Sequence, residues 1–342
     1  MRKLSPISIV GGGLAGLSLG IALRRAGVPT VVFEAGDYPR HRVCGEFVTG
    51  LSVTVIEKLG IDSVFIETKS CSSVKWLLKG NAIRQTTLPT PALMISRYAL
   101  DARLAKLFES VGGKLLTRTR VSPRAIAPGW IQASGRRPSG ESRWLGLKLH
   151  ARDVGATKNL EFDLGNYGYV GLSSVEDGWT NICGLFRRRP ELRCDRDEIF
   201  GAYLKANGLE QLARRLEAAE VRPGSRKAVA GFVFDRNVNT SDGLRLGDAS
   251  AMIPPFTGDG MAMAFTSAAL AVDPLIDWAR GERSWGNACS YIMTALCREF
   301  RLRLTCASLF HPFILGGILQ RCFRIGARAR ALPINLFYHL VH

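Results

Sequence analysis

The sequence of 342 residues predicts an α/β fold that joins a parallel-sheet domain, an inserted antiparallel sheet and a helical C-terminal region. A strand, a glycine-rich loop, a helix and a second strand open the chain. A second glycine-rich loop follows a short strand and leads into a helix of small residues, and alternating apolar runs lie between the two loops. With 46% hydrophobic and 22% charged residues, the composition excludes disordered, collagenous and coiled-coil chains.

The opening unit consists of the buried strand Ile7–Val10, a Gly-x-Gly-x-x-Gly loop and a helix that stops at Gly27. In this pattern we expect Gly11 to permit the tight turn and Gly13 to let the backbone approach a pyrophosphate. Gly16 should let the helix pack closely against the strand. The free N–H groups at the start of the helix would meet the phosphates, so the unit predicts a dinucleotide site.

The next strand, Thr30–Phe33, ends in Glu34. A carboxylate at this position can bind both ribose hydroxyls of a dinucleotide, and it disfavours a 2′-phosphate. The first fifty residues therefore indicate FAD or NAD at this site and make NADP an unfavourable ligand there.

A second nucleotide motif lies about two hundred residues later. Its parts are the strand Leu244–Leu246, Gly247-Asp248-Ala249, the pair Pro254-Pro255, the glycines Gly258 and Gly260, and the helix Met261–Val272. Dehydrogenases that use NAD alone have no use for such a motif, so it favours FAD.

Together the two motifs resemble those of FAD-dependent oxidoreductases of the para-hydroxybenzoate hydroxylase fold. The resemblance implies a Rossmann-like FAD-binding domain in which Asp248 lies beside the ribityl and phosphate region. It also implies that the proline-glycine loop runs under the isoalloxazine ring and that the helix after it directs its N-terminus at the ring's pyrimidine edge. Non-covalent FAD is then the cofactor, with NAD(P)H or another electron donor.

A more specific resemblance is carried by Tyr38–Phe47, which is similar to the Pro-Arg-x-Lys/Arg-x-Cys-Gly segment of the geranylgeranyl reductase family. That family shares the fold and includes reductases that saturate isoprenoid lipids. The resemblance implies that Cys44 and Gly45 lie near the flavin and that Arg42 lies close to the phosphates or the ring.

The same family has an Arg-x-x-x-Asp helix start, which Ser96–Asp101 matches. The resemblance implies that Arg97 contacts the cofactor and that Val121 contacts the adenine side. The predicted cofactor-binding residues are Gly11, Gly13, Ala15, Gly16, Glu34, Arg42, Cys44, Gly45, Arg97, Val121, Asp248, Gly258, Gly260 and Met261. The eight cysteines form no C-x-x-C pair and no zinc pattern with histidine, so no metal site is expected.

Cys44 is the candidate catalytic side chain, as a proton donor or a group that orients the substrate. The alternative is a small residue that merely fits under the ring. If Arg40, His41 and Arg42 lie close, they should lower the pKa of the thiol. Glu46 is either an acid-base group or a structural hydrogen-bond acceptor.

His150 has the same two interpretations, since it follows the apolar run Leu145–Leu149 and could be a structural histidine or an acid that faces substrate. The chain also departs from its relatives. Ser122–Gly129 replace a longer β-meander, and Ala133-Ser134-Gly135 stands where flavin hydroxylases have Ala-Asp-Gly.

We therefore expect an FAD-dependent oxidoreductase that reduces a carbon–carbon double bond of a hydrophobic small molecule. A flavin-dependent monooxygenase and a degenerate FAD-binding protein without activity are the alternatives. The predicted boundaries assign residues 1–70, 94–150 and 225–280 to the FAD-binding domain, 71–93 and 151–224 to a substrate domain, and 281–342 to a helical region. Gly168–Leu172 and Gly178–Leu185 should be antiparallel strands of the substrate sheet.

The net charge of +17 could indicate nucleic acid, but no nucleic-acid-binding module accompanies it, so no such partner is expected. Residues 298–342 combine seven arginines and one acid with apolar runs. This region is either an interfacial segment that touches a membrane or a set of helices that closes the substrate pocket. With no secretory signal at its start, the chain is expected in the cytoplasm, with peripheral membrane contact as an option.

Overall fold

The computed structural model describes residues 4–121, 127–136, 143–155, 160–232, 234, 243–328, 338 and 340. The helices in these residues are α1 Leu14–Arg25, α2 Val53–Leu59, α3 Arg97–Ser110, α4 Ile199–Ala206, α5 Glu210–Glu217, α6 Gly260–Arg280, α7 Trp285–Ile314 and α8 Gly317–Arg328. The strands are β1 Ile7–Val10, β2 Thr30–Phe33, β3 Phe47–Val48, β4 Lys69–Leu78, β5 Asn81–Met94, β6 Lys114–Leu116, β7 Trp130–Gln132, β8 Trp144–Arg152, β9 Leu160–Leu164, β10 Gly168–Ser174, β11 Thr180–Arg187, β12 Glu220–Val221, β13 Lys227–Ala230 and β14 Leu244–Arg245.

Widely separated segments form one parallel sheet, in the order β14-β7-β1-β2-β6. Helix α1 packs against α3 and α6, and α6 in turn contacts α2 and α7. The apolar sides of these helices and of the sheet share one buried core. The α/β fold with a Rossmann-like domain is thus confirmed, and the short connection before β7 does not prevent that strand from pairing with β1 and β14.

Two predicted elements end at different places. The strand predicted over Gly113–Val121 ends at Leu116, because the chain turns back over the end of β2. There the N–H of Thr119 donates to the Glu34 carbonyl oxygen at 2.8 Å. The helix predicted to end at Val272 continues to Arg280 and stops at Gly281, whose left-handed conformation ends it.

The second sheet runs in the order β12-β8-β11-β10-β9-β4-β5-β3, with β13 paired to β8. The predicted strands β10 and β11 are confirmed as an antiparallel pair. Residues 144–150 and 227–230, which the predicted boundaries place in the FAD-binding segments, lie in β8 and β13 of this sheet, because these strands pair with β11 and with each other. The domain boundaries themselves stay a prediction.

The C-terminal region is helical, as predicted. Helix α7 lies against α6 and α8, and α8 also contacts β5. Helices α4 and α5 cover the opposite side of the second sheet through a separate apolar cluster. In the described part of the chain, no helix is long and apolar enough to cross a membrane.

Candidate cofactor and substrate site

The glycine loop after β1 has the geometry that its pattern predicts. Gly11 has a φ of 111°, and a Cβ there would overlap the Ala133 carbonyl. A Cβ on Gly16 would overlap the Gly11 carbonyl oxygen, so this glycine lets α1 sit against the turn. Beside Gly13, by contrast, a Cβ would meet nothing within 4 Å. The loop therefore leaves open space at the one glycine that should face a pyrophosphate.

Helices α1 and α6 both begin without a side-chain cap or an acid in the first turn. Their first N–H groups therefore remain available to an anion or a polar ring edge. Asp248 and its neighbours lie between the two helices, since a Cβ on Gly247 would lie 3.1 Å from Cβ of Ala15 and 3.7 Å from Cβ of Ala264. Two other predicted residues lie at the start of α6. Met261 is buried in its first turn, and a Cβ added to Gly260 would meet Ile253 at 3.8 Å.

Glu34 is buried at the end of β2, where the protein itself already binds both carboxylate oxygens. The N–H groups of Gly12 and Gly36 each donate to it at 2.9 Å, and Arg40 forms an ion pair at 2.7 Å. Burial acts to raise the pKa of Glu34, but the Gly36 N–H and the nearby arginines outweigh it and hold the pKa below its usual range. The hydroxyl of Tyr38 donates to the Gly12 carbonyl oxygen. The ribose contact of Glu34 stays a prediction.

Two predicted arginines converge on one carboxylate. Asp101, fully buried, accepts from Arg42 Nε at 2.9 Å and from Arg97 Nε at 2.7 Å. Asp248 lies among Arg97, Arg136 and Arg42 in a cleft. Although its side chain reaches solvent, the protein packed around it raises the pKa of Asp248. Arg42 also lies 3.6 Å from Glu34, so four guanidinium groups, including that of Arg40, face three carboxylates. The positive excess is suited to the diphosphate of FAD.

The Cys44 thiol is protonated at neutral pH. Burial raises its pKa, Arg97 opposes the rise and Glu46 adds to it. The condition for a lowered pKa is not met, because Arg40 is paired with Glu34 and Arg42 with Asp101, and His41, whose pKa burial lowers to about 3, is neutral. The role of Cys44 as a proton donor or orienting group stays a prediction.

The Cys44–Gly45 backbone is held against the second sheet. The side-chain amide of Asn181 donates to the carbonyl oxygens of Cys44 at 3.1 Å and Gly45 at 2.8 Å, and the Ser173 hydroxyl donates to Gly45 at 2.7 Å. The predicted flavin-facing segment is therefore fixed to β10 and β11 through its own carbonyls.

Glu46 joins three elements from a position with no solvent exposure. Its Oε1 accepts from Lys148 Nζ at 2.8 Å and from the Arg97 N–H at 3.0 Å, while Oε2 lies 2.6 Å from His150 Nε2. Burial acts to raise the pKa of Glu46, but Lys148 and His150 outweigh it and hold the pKa below its usual range. Lys148 also lies 3.3 Å from Nδ1 of His41, whose pKa burial lowers to about 3. Glu46 and His150 are therefore hydrogen-bonded to each other, and whether either also acts on substrate as an acid or base stays a prediction.

Strand register divides the inner face of the second sheet into two halves. Directly opposite residues share a face, so the His150–Asn181–Ser173 row and the Lys148–Cys183–Gly171 row both face Cys44 and Glu46. The next row, Gly146–Leu185–Tyr169, belongs to an aromatic half. This half also holds Phe162 and Trp76, which lie where the Lys148–Cys183–Gly171 row continues onto β9 and β4, and Phe162 contacts Tyr169 at a centroid distance of 6.3 Å. A polar half therefore lies under the Cys44 segment, and an aromatic half continues from it.

The proline-glycine loop closes over both halves. Thr49 donates to the Thr257 carbonyl oxygen at 3.3 Å, and a Cβ on Gly258 would overlap the Phe47 ring. The chain from Phe47 to Thr49 and the proline-glycine loop therefore pack together as one wall of the site. Phe256 of this loop packs in the aromatic half. Behind the loop, Asp259 is fully buried beside Arg303 of α7 at 3.4 Å, and burial raises the pKa of Asp259 to about 7.

Several residues of the site were not predicted. Lys148, Asn181, Arg303 and His311 lie far in sequence from the glycine motifs, and only the fold brings them to the cofactor segments. For Lys148 a signal was present, because it alternates with leucines and shares the period-2 face of His150. Val121 follows the turn beside Glu34, and its adenine contact stays a prediction.

Comparisons with known proteins support FAD as the cofactor. Residues 5–121 match a family described as an FAD binding domain. The menaquinone reductase of Mycobacterium tuberculosis is 22% identical over 333 residues, with 82% of this chain and 78% of that protein covered. Klebsiella pneumoniae HpxO, solved with FAD and uric acid, has a TM-score of 0.77 at 17% identity and covers 98% of this chain and 96% of its own. PqsL of Pseudomonas aeruginosa, a probable FAD-dependent monooxygenase, has a TM-score of 0.70 at 15% identity, with coverages of 94% and 98%.

The fold and the site define a flavoprotein whose cofactor is FAD. More particularly, the chain is similar to the FAD-dependent oxidoreductases and has the fold of the flavin monooxygenases. The open space at Gly13, the two uncapped helix starts and the arginine excess fit a bound FAD, for which they would hold the diphosphate and the ring edge.

Proposed function

We propose that this flavoprotein reduces a carbon–carbon double bond of a hydrophobic small molecule. The observation that carries the proposal is the aromatic half of the inner face, which adjoins the Phe256 loop on one side and the Cys44 segment on the other. Bound FAD supplies hydride transfer, and a hydrophobic substrate held in the aromatic half would present its double bond beside it.

Reduction of a double bond also needs a proton on the second carbon. Cys44 has a protonated thiol and lies in the segment that, by resemblance to geranylgeranyl reductases, faces the flavin. In the proposed reaction its S–H bond breaks as the new C–H bond forms, and solvent returns the proton to the thiolate. Cys44 thus acts as a proton donor or orients the substrate.

Two further observations support reduction over hydroxylation. The Mycobacterium tuberculosis protein that is 22% identical to this chain is named a menaquinone reductase. In addition, this chain has Ser134 where flavin hydroxylases have an aspartate. The electron donor would be NAD(P)H or another reductant.

The experiment uses purified protein with its FAD. After anaerobic reduction, the flavin spectrum is followed while polyprenylated quinones and other isoprenoid lipids are added, and the products are analysed by mass. Substrate-dependent reoxidation without oxygen, with a product that has gained two hydrogens, is expected.

A product that forms only with oxygen and gains one oxygen atom would assign monooxygenation instead. A colourless protein whose melting temperature does not rise with added FAD would mean a degenerate FAD-binding protein, and the proposal would fail.

A further inference from the structure

His311 is a polar side chain enclosed by aromatic rings. It lies on α7, 7% exposed, with ring centroids of Trp144 at 5.4 Å, Phe234 at 5.2 Å, Phe256 at 5.8 Å and Tyr169 at 6.4 Å. These rings come from β8, from the segment before β14, from the proline-glycine loop and from β10. The second sheet, the loop and α7 therefore meet at this one imidazole.

The Nε2 atom of His311 is buried and has no hydrogen-bond partner among the described residues. An unpaired buried nitrogen is costly, and the hydroxyl of Tyr169, on one of the surrounding rings, does not bond to it. Burial lowers the pKa of His311 to about 4, so the ring is neutral at pH 7. A neutral imidazole carries one N–H and one lone-pair nitrogen, and it can donate to a carbonyl oxygen or accept from a hydroxyl.

We propose that His311 anchors the substrate by one hydrogen bond between Nε2 and an oxygen on an aromatic or quinonoid ring. The surrounding rings would stack on the substrate ring, and Phe256 would set it beside the cofactor loop. The inference deepens the proposed function, on which it rests, by naming the substrate class as an apolar compound whose ring bears a hydroxyl or carbonyl oxygen.

Ligand binding without turnover tests this inference independently of the proposed reaction. The dissociation constants of 1,4-naphthoquinone, 1-naphthol and naphthalene are measured on the oxidised holoprotein, without reductant, by competition and by tryptophan fluorescence. We expect the wild type to bind one or both oxygenated rings about five- to tenfold more tightly than naphthalene. In H311F the ratio of these affinities should fall to about one while the affinity for naphthalene is unchanged. H311Q should retain part of the preference.

No preference in the wild type, or a preference that H311F keeps, would overturn the proposal. Melting temperatures and flavin spectra of the variants show whether each is folded. If the preference is present but no double bond is reduced, the proposed reaction fails and the anchor remains.

A second surface is marked by exposed apolar side chains. Five of the eight large apolar side chains exposed in the described residues lie on α7 and α8, namely Tyr291, Leu302, Leu309, Leu319 and Ile325. Leu302 and Leu309 are 56% and 61% exposed and one heptad apart, so they share one face of α7, about 10 Å apart along its axis.

The charge around this patch has one sign. Between Trp285 and Arg328 the sequence holds six arginines and one acid, Glu299, which is paired with Arg303 at 2.6 Å. Arg298 and Arg301 are exposed beside Leu302. An apolar stripe flanked by unopposed arginines is complementary to an anionic lipid surface, where the leucines enter the acyl boundary and the arginines meet headgroups.

We infer that the face of α7 that carries Tyr291, Leu302 and Leu309 binds the surface of an anionic membrane. Such contact would place the aromatic half of the site near a store of hydrophobic substrate.

The test is flotation of the full-length holoprotein with vesicles of phosphatidylglycerol and phosphatidylcholine, compared with phosphatidylcholine alone. We expect binding to the anionic vesicles that weakens with salt, and at least a roughly fivefold loss in L302S/L309S. The matched control V53S/I66S removes two equally exposed apolar residues elsewhere and should bind as the wild type does.

Equal binding to both vesicles, no binding at all, or an equal loss in the control would overturn the inference. If the patch instead joins two copies of the chain, sedimentation would show a dimer that L302S/L309S dissociates, without vesicle binding. That outcome would also contradict the membrane proposal.

Discussion

Glu46 Oε2 lies 2.6 Å from His150 Nε2, although the two residues are 104 positions apart and neither is exposed. Together with the Lys148 contact, this links the Cys44 segment to β8. The link holds a carboxylate and an ammonium group away from water, and each depends on the other for compensation.

Breaking that pair from one side should destabilise the protein strongly. K148M leaves Glu46 buried without its cation, and we expect the free energy of unfolding to fall by about 3–5 kcal/mol. In E46Q/K148M neither side chain of the pair is charged, so much of the lost unfolding free energy should be recovered. Chemical denaturation of the two variants as holoproteins measures the unfolding free energies. K205M, which breaks the exposed pair with Glu217, should cost under about 1 kcal/mol, and a similar loss for K148M would contradict the prediction.

Stability should fall as the pH rises through the range in which Asp259 ionises. Its pKa is about 7 in the folded protein and 3.8 when unperturbed, so between these values the folded state holds more protons than the unfolded one. The linked loss is up to about 4 kcal/mol on going from pH 4 to pH 8. D259N should flatten this slope in denaturation at several pH values. An unchanged slope in D259N would assign the dependence to other groups.

FAD affinity should depend on the arginines that share Asp101. R97M removes a cation that is paired with Asp101 and lies near Asp248, and loss of a charge-assisted contact to FAD should weaken binding about 10- to 100-fold. Titration of apoprotein with FAD, followed by flavin fluorescence, measures the change. Arg118, paired with Asp37 at the surface, provides the control, and R118M should bind FAD as the wild type does. Equal affinities of R97M and wild type would remove Arg97 from the cofactor site.

The protonated state of Cys44 predicts slow alkylation. Cys44 and Cys194 are both partly exposed, and the protein packed around Cys44 raises the pKa of its thiol. Iodoacetamide at pH 8 should therefore modify Cys44 far more slowly than Cys194, as mass spectrometry of the digested protein would show.

Under the proposed reaction, C44A should lower kcat about 100-fold or more while the flavin spectrum is unchanged. C183A, which removes a neighbouring, partly buried thiol, should leave kcat within a few-fold of the wild type, whereas equal effects would indicate a packing role for both.

The elements nearest the glycine motifs were predictable because their causes are local. The turn at Gly11 and the contact of Gly16 with it involve residues a few positions apart, apart from the Ala133 carbonyl that also lies against Gly11. The period-2 pattern of Leu145–Leu149 likewise indicated a strand. Its sheet could not be assigned, since pairing with β11 and β13 depends on partners that only the folded chain supplies.

Local sterics and hydrogen-bonding rules are enough to predict the dinucleotide loop and the acidic strand end from the sequence. The second glycine loop could be assigned to the same FAD-binding fold through its resemblance to FAD-dependent oxidoreductases. Only the tertiary structure decided the electrostatics and the shape of the site. Cys44 is protonated because burial raises its pKa and Glu46 adds to the rise, and His311 faces four rings from four separate segments. Charge compensation and burial depend on distances in space, which spacing along the chain does not contain.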